Sequence, residues 1–145
     1  MKSNVKITLI EPHEMVCNLL IPKTLIVAPR QSGKTEAIKK AIKEVEYYKI
    51  FVYNKDIINI KYVGIKNVHT FKEFFTQDLD SVAYKIFVDD IEIIQSNEPK
   101  ADQVITIDSP GIYAATTSIL NFDKIQILIQ RKRFDFERIC IVSEL

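Results

Sequence analysis

The segment Ala28-Pro29-Arg30-Gln31-Ser32-Gly33-Lys34-Thr35 constrains the fold more than any other part of this chain. An apolar run at residues 24–28 leads into it. After it, Ala37, Ile38, Ala41, Ile42 and Val45 share one helical face, while Glu36, Lys39, Lys40, Lys43 and Glu44 fall elsewhere. A buried strand that turns sharply into an amphipathic helix aims backbone N–H groups and the positive helix end at one point. Such a point holds an anion. Gly33, one of three glycines in the chain, supplies the backbone freedom that the turn requires. Lys34 adds a compact positive charge, and Thr35 a hydroxyl in the first helical turn.

Around this segment, apolar and β-branched runs recur at residues 5–10, 50–53, 86–88, 104–107, 112–116, 125–129 and 139–142. Runs of this length read as strands, and several lack polar alternation, as expected where both faces of a sheet are covered. Thr70 as N-cap with Glu73 three residues on predicts a second helix over 70–76. Strand–helix alternation predicts an α/β fold with a mostly parallel central sheet flanked by helices, in a single domain over residues 1–145. The last thirty residues read as paired strands, with a C-terminal β-hairpin turning near 131–135. Residues 54–67 carry no clear pattern.

A second chemical feature is the run Lys85-Ile86-Phe87-Val88-Asp89-Asp90-Ile91-Glu92, an apolar strand that ends in carboxylates. Such a strand end resembles the Walker B arrangement, which implies that the first acid, Asp89, holds Mg²⁺ and that the second, Asp90, orients and polarises a water. Glu92 is the second candidate for that task, on the same side of a continued strand as Asp90. A third feature is the hydroxyl cluster Thr116-Thr117-Ser118, which closes the apolar run before it.

The octapeptide matches the Walker A pattern with Ala28 in place of the first glycine, and the acidic strand end matches Walker B. Together they resemble the P-loop NTPases of the additional-strand type. That resemblance implies that residues 28–35 cradle the triphosphate of ATP, with Lys34 on the β- and γ-phosphates and Thr35 and Asp89 on Mg²⁺. It also implies a strand between the cradle strand and the acidic strand, with Thr116 or Thr117 sensing the γ-phosphate. The run from Pro29 to Thr35, with Arg30 inside the loop, is similar to the P-loop of phage large-terminase subunits, which pump DNA into capsids. The resemblance implies that Arg30 couples hydrolysis to motion. Asp89-Asp90-Ile91 is closer to the strand ends of AAA-type replication initiators and helicase loaders. A nucleotide-binding module without turnover is a third reading.

Lys+Arg is 20 against Asp+Glu 19, so there is no global pull toward nucleic acid, and any such surface must be local. The chain has four arginines: Arg30, Arg131, Arg133 and Arg138. Arg131-Lys132-Arg133 is the dense basic cluster, read either as a phosphodiester contact or as an arginine finger reaching a neighbour's γ-phosphate. The neighbour reading is the favoured one, because one domain of this size cannot clamp ATP by itself. The expected assembly is a homo-oligomeric ring, or a partner domain that completes the site, acting on nucleic acid, with DNA favoured. His13 and Asn18, ahead of the cradle, are candidate base contacts. Cys17 and Cys140 have no metal-ligand spacing and read as buried, reduced thiols. The apolar stretch over 15–28 is broken by Asn18, Pro22 and Lys23 and is no membrane span. The expected location is the cytoplasm, that of the host cell if the protein is viral.

Overall fold

The computed structural model describes residues 5–45, 49–53, 68–70, 84–93, 113–132 and 134–143. Among the described residues seven strands are present: β1 (Lys6–Ile10), β2 (Thr24–Val27), β3 (Lys49–Tyr53), β4 (Val68–Thr70), β5 (Tyr84–Val88), β6 (Ala114–Thr117) and β7 (Arg138–Val142). Three α-helices accompany them among the described residues: α1 (Met15–Leu19), α2 (Lys34–Glu44) and α3 (Phe122–Lys132). The strands form one sheet in the order β1-β7-β2-β6-β5-β3-β4, and every pairing is parallel.

Parallel pairing explains the uninterrupted apolar runs. All four residues of β2 and of β6 are buried, because helices cover the centre of the sheet on both faces. On one face Ile26, Ala28, Phe87, Ala114 and Cys140 pack with Met15 and Leu19 of α1 and with Ala37, Ile38, Ala41 and Ile42 of α2. On the other, Leu25, Val27, Ile86, Val88, Ala115 and Ile139 pack with Ile125 of α3 and with Phe134 and Phe136. The division follows from handedness. The crossovers through α1 and α2 run one way along the sheet, and the crossover through α3 runs the other. Crossovers of one hand then place their helices on opposite faces.

The C-terminal third corrects the sequence reading. Residues 125–129 lie within α3 and form no strand, and no hairpin follows. The chain crosses the sheet through α3, and β7 inserts in parallel between β1 and β2. A run of β-branched residues favours a strand locally, yet Phe122, Ile125, Leu128 and Ile129 fall on one helical face and pack on the sheet. Asn121 caps the helix, its Oδ1 accepting from the Lys124 N–H at 3.1 Å. Thr70 is the last residue of β4; the expected helix over 71–76, the strand over 104–107 and residues 54–67 lie outside the described residues. Of the thiols, Cys140 is buried and its pKa is pushed up by that burial, whereas Cys17 is exposed, contrary to expectation. Among the described residues no helix is long and apolar enough to cross a membrane.

Candidate functional site

Because all strands are parallel, the residues that follow β2, β5 and β6 meet at one edge of the sheet, the carboxyl edge where α/β folds bind ligands. The turn after β2 is built from positive dihedrals. Gly33 has φ 91° and Gln31 φ 61°. Space does not require glycine at 33, since an added β-carbon would come no nearer than 4.0 Å to the Met15 side chain. The dihedral angle does. Ala28 continues β2, fully buried, and its N–H donates to the Thr117 carbonyl at 3.1 Å.

The Lys34 side chain is buried and folds back over the turn. Its Nζ donates to the Ala28 carbonyl at 3.0 Å and the Pro29 carbonyl at 2.7 Å. Burial lowers the Lys34 pKa, opposed by the nearby charges of Asp90, Glu92 and Asp89, while Arg30 adds to the lowering. Four charged side chains therefore act on one ammonium. Ser32 Oγ, in the same turn, is buried without a hydrogen-bond partner in the protein. Buried hydroxyls are nearly always paired, so this orphan marks a place where another polar group belongs.

The Thr35 hydroxyl donates to Asp89 Oδ2 at 2.8 Å, joining the first turn of α2 to the end of β5 across the intervening strand β6. Among the described residues no group of three or more His, Cys, Asp and Glu could hold a metal. The Thr35–Asp89 pair offers two hard oxygens instead, which fits Mg²⁺, an ion that keeps several waters and takes few protein ligands.

The next residue, Asp90, has φ 68°, an uncommon conformation for a residue other than glycine. Its N–H donates to Thr116 Oγ1 at 3.1 Å, and its Oδ1 accepts from Ser118 Oγ at 3.2 Å. Glu92 does not lie on a continued strand. β5 ends at Val88, and Ile91–Ile93 form a 3-10 turn that sends the Glu92 carboxylate back to β6. There Oε1 accepts from the Thr117 hydroxyl at 2.7 Å and Oε2 from the Ser118 N–H at 3.0 Å.

Thr116 and Thr117 point to opposite faces, as neighbours on a strand must. Thr116 shares the face of Ala114, which packs with α2, and so stands on the side of the 28–35 turn. Thr117 shares the face of Ala115 and Ile91, where its hydroxyl proton goes to Glu92. Sequence pattern alone cannot separate the two threonines; their faces do.

The arginines separate as well. Arg30 is exposed on the turn itself. Arg131 is exposed in the last turn of α3, which starts near the carboxyl edge and ends toward the amino edge, where β7 begins. It stands far from its own chain's 28–35 turn. Arg133 lies outside the described residues. Arg138 is not on an exposed turn: it opens β7, and its Nη2 donates to Asn18 Oδ1 at 2.8 Å and its Nη1 to Thr24 Oγ1 at 3.4 Å. Asn18 is buried, with its amide donating to the Glu14 carbonyl at 2.8 Å and its Oδ1 accepting from Arg138, so its polar atoms are engaged within the protein. Arg138→Ala should therefore cost about 1–3 kcal/mol of stability, by leaving the buried Asn18 Oδ1 with only the weak Cys140 thiol donor at 3.6 Å. Urea denaturation checks this, and an unchanged midpoint would remove Arg138 from its structural role.

Comparison with known proteins adds no relative: no family model, no curated protein and no solved structure matches the chain.

Proposed function

We propose that the chain is a Mg²⁺-dependent ATPase of the P-loop, additional-strand type, the motor core of a machine that moves nucleic acid, with DNA favoured. The observation that carries this reading is the 2.8 Å hydrogen bond from Thr35 to Asp89. It brings together a cradle hydroxyl and a strand-end carboxylate that are far apart in sequence, and it does so across a third strand that ends in hydroxyls. Positive dihedrals in the turn, a lysine folded over it and an orphaned Ser32 hydroxyl support the same reading.

In this reading the turn from Ala28 to Thr35 wraps the phosphates of ATP, with backbone N–H groups and the α2 dipole facing them. Lys34 exchanges its two carbonyl partners for phosphate oxygens. Thr35 and Asp89 hold Mg²⁺, which supplies neutralisation of phosphate charge when bound. Asp90 takes the proton of the attacking water, and Thr116, on the cradle face, senses the γ-phosphate. A single cradle of this kind is open on one side, so a neighbouring subunit in a ring, or another domain, completes it and supplies the nucleic-acid contact. Cytoplasmic location belongs to the same proposal.

The test is ATP turnover by the purified chain with and without DNA. Stimulation by DNA is the expected result. Slow turnover that ignores DNA fits the initiator or loader switch instead, and ATP binding without turnover leaves a nucleotide-binding module.

A further inference from the structure

We propose that Glu92 is a positioning residue, not a catalytic acid: its carboxylate fixes the end of β6, and through Ser118 it holds Asp90 in the conformation that catalysis needs. The proposal rests on the ATPase reading for its catalytic part, and on geometry alone for its structural part. Both oxygens of Glu92 are committed. Oε1 takes the Thr117 proton at 2.7 Å, and Oε2 takes the Ser118 N–H at 3.0 Å. Thr117 in turn accepts from the Ile119 N–H at 3.1 Å, so its hydroxyl is used in both senses. These bonds fix the backbone on either side of Ser118. With that backbone fixed, the Ser118 hydroxyl is free to turn toward Asp90, whose Oδ1 it meets at 3.2 Å.

Asp90 needs such a hold. Its φ of 68° lies in a region that non-glycine residues leave unless their surroundings impose it. Two bonds to β6 and the residue after it impose it here: the Asp90 N–H donates to Thr116 Oγ1, and its carboxylate accepts from Ser118 Oγ. Glu92 itself meets the face of β6 opposite the 28–35 turn, since Thr117 points away from α2. Its charge is felt at Lys34, but both of its oxygens are already taken by Thr117 and Ser118. Its influence on Asp90 arrives through the backbone at Ser118.

The experiment compares Glu92→Gln, Ser118→Ala and the double variant. Gln offers one acceptor oxygen where Glu offers two, so one of the two donors meets an NH₂ group and the clamp is weakened without loss of volume. Each single variant should lower kcat about tenfold, with KM and the Kd for a fluorescent ATP analogue unchanged. The double variant should fall no further than the lower single, because both changes cut one chain of contacts. Additive losses, or a neutral Ser118→Ala beside an inactive Glu92→Gln, would make Glu92 the catalytic acid and overturn the proposal. Amide hydrogen exchange followed by NMR keeps the proposal testable apart from turnover. Glu92→Gln should speed exchange at the Ser118 and Asp90 amides about tenfold or more and leave those of α2 unaltered. Unchanged exchange at Asp90 refutes the positioning role even if the chain proves to have no ATPase activity. Conversely, absent turnover in the wild type together with faster exchange at Asp90 would defeat the ATPase reading and leave the clamp standing.

Discussion

Lys34→Ala is expected to lower ATP turnover by on the order of 10²–10³, the usual effect of removing one pre-placed donor from developing phosphate charge. Stability should change far less. Lys34 is buried, and not the surface ligand that its polarity suggests, but what it holds in the protein are two carbonyl oxygens, Ala28 and Pro29. Its removal strands these two acceptors, a cost of about 1–3 kcal/mol that relief of the buried charge partly offsets. A steady-state assay beside a thermal melt separates the two effects. A variant that melts normally yet hydrolyses ATP at near wild-type rate would defeat the reading of residues 28–35 as a phosphate cradle.

Arg30→Ala is the second large effect. Phosphoryl transfer spreads negative charge over the γ-phosphoryl oxygens, and one arginine at that charge is worth ~10³-fold or more in rate. Position in the sequence favours a neighbour's arginine from the 131–133 cluster. The fold shifts that choice. Arg131 stands toward the amino edge of the sheet, so it reaches a γ-phosphate only if the amino edge of one subunit faces the carboxyl edge of the next. Arg30 is already on the turn, close enough for its charge to act on Lys34. The expected result is a loss of ~10³-fold in kcat for Arg30→Ala and little change for Arg131→Ala. Activity regained on mixing Arg131→Ala protein with Lys34→Ala protein would return the role to a neighbouring subunit.

The parts of this site that the sequence discloses are those whose chemistry is local. Gly33-Lys34-Thr35 after an apolar run, and Asp89-Asp90 after another, each declare a strand end from adjacent residues. The α/β class and parallel pairing follow from runs without polar alternation. What stays hidden depends on distant partners. Ile125, Ile127 and Ile129 favour a strand by residue type, and the sheet beneath them decides for a helix, although Asn121 ahead of the run is a cap signal that could have been read. The return of Glu92 to β6 depends on a 3-10 turn that no spacing rule encodes. Arg138 reads as part of a basic cluster until its inward partners, Asn18 and Thr24, are seen.

Inserting β7 between β1 and β2 also sets a timetable. On a ribosome, β1 and β2 emerge early, yet neither can pair with the other, because the strand that joins them is made more than a hundred residues later. Contacts this distant close slowly and cost loop entropy before they return any stability. The first strand of the nascent chain must therefore wait, with its backbone edge unpaired, until residues 138–142 have been made.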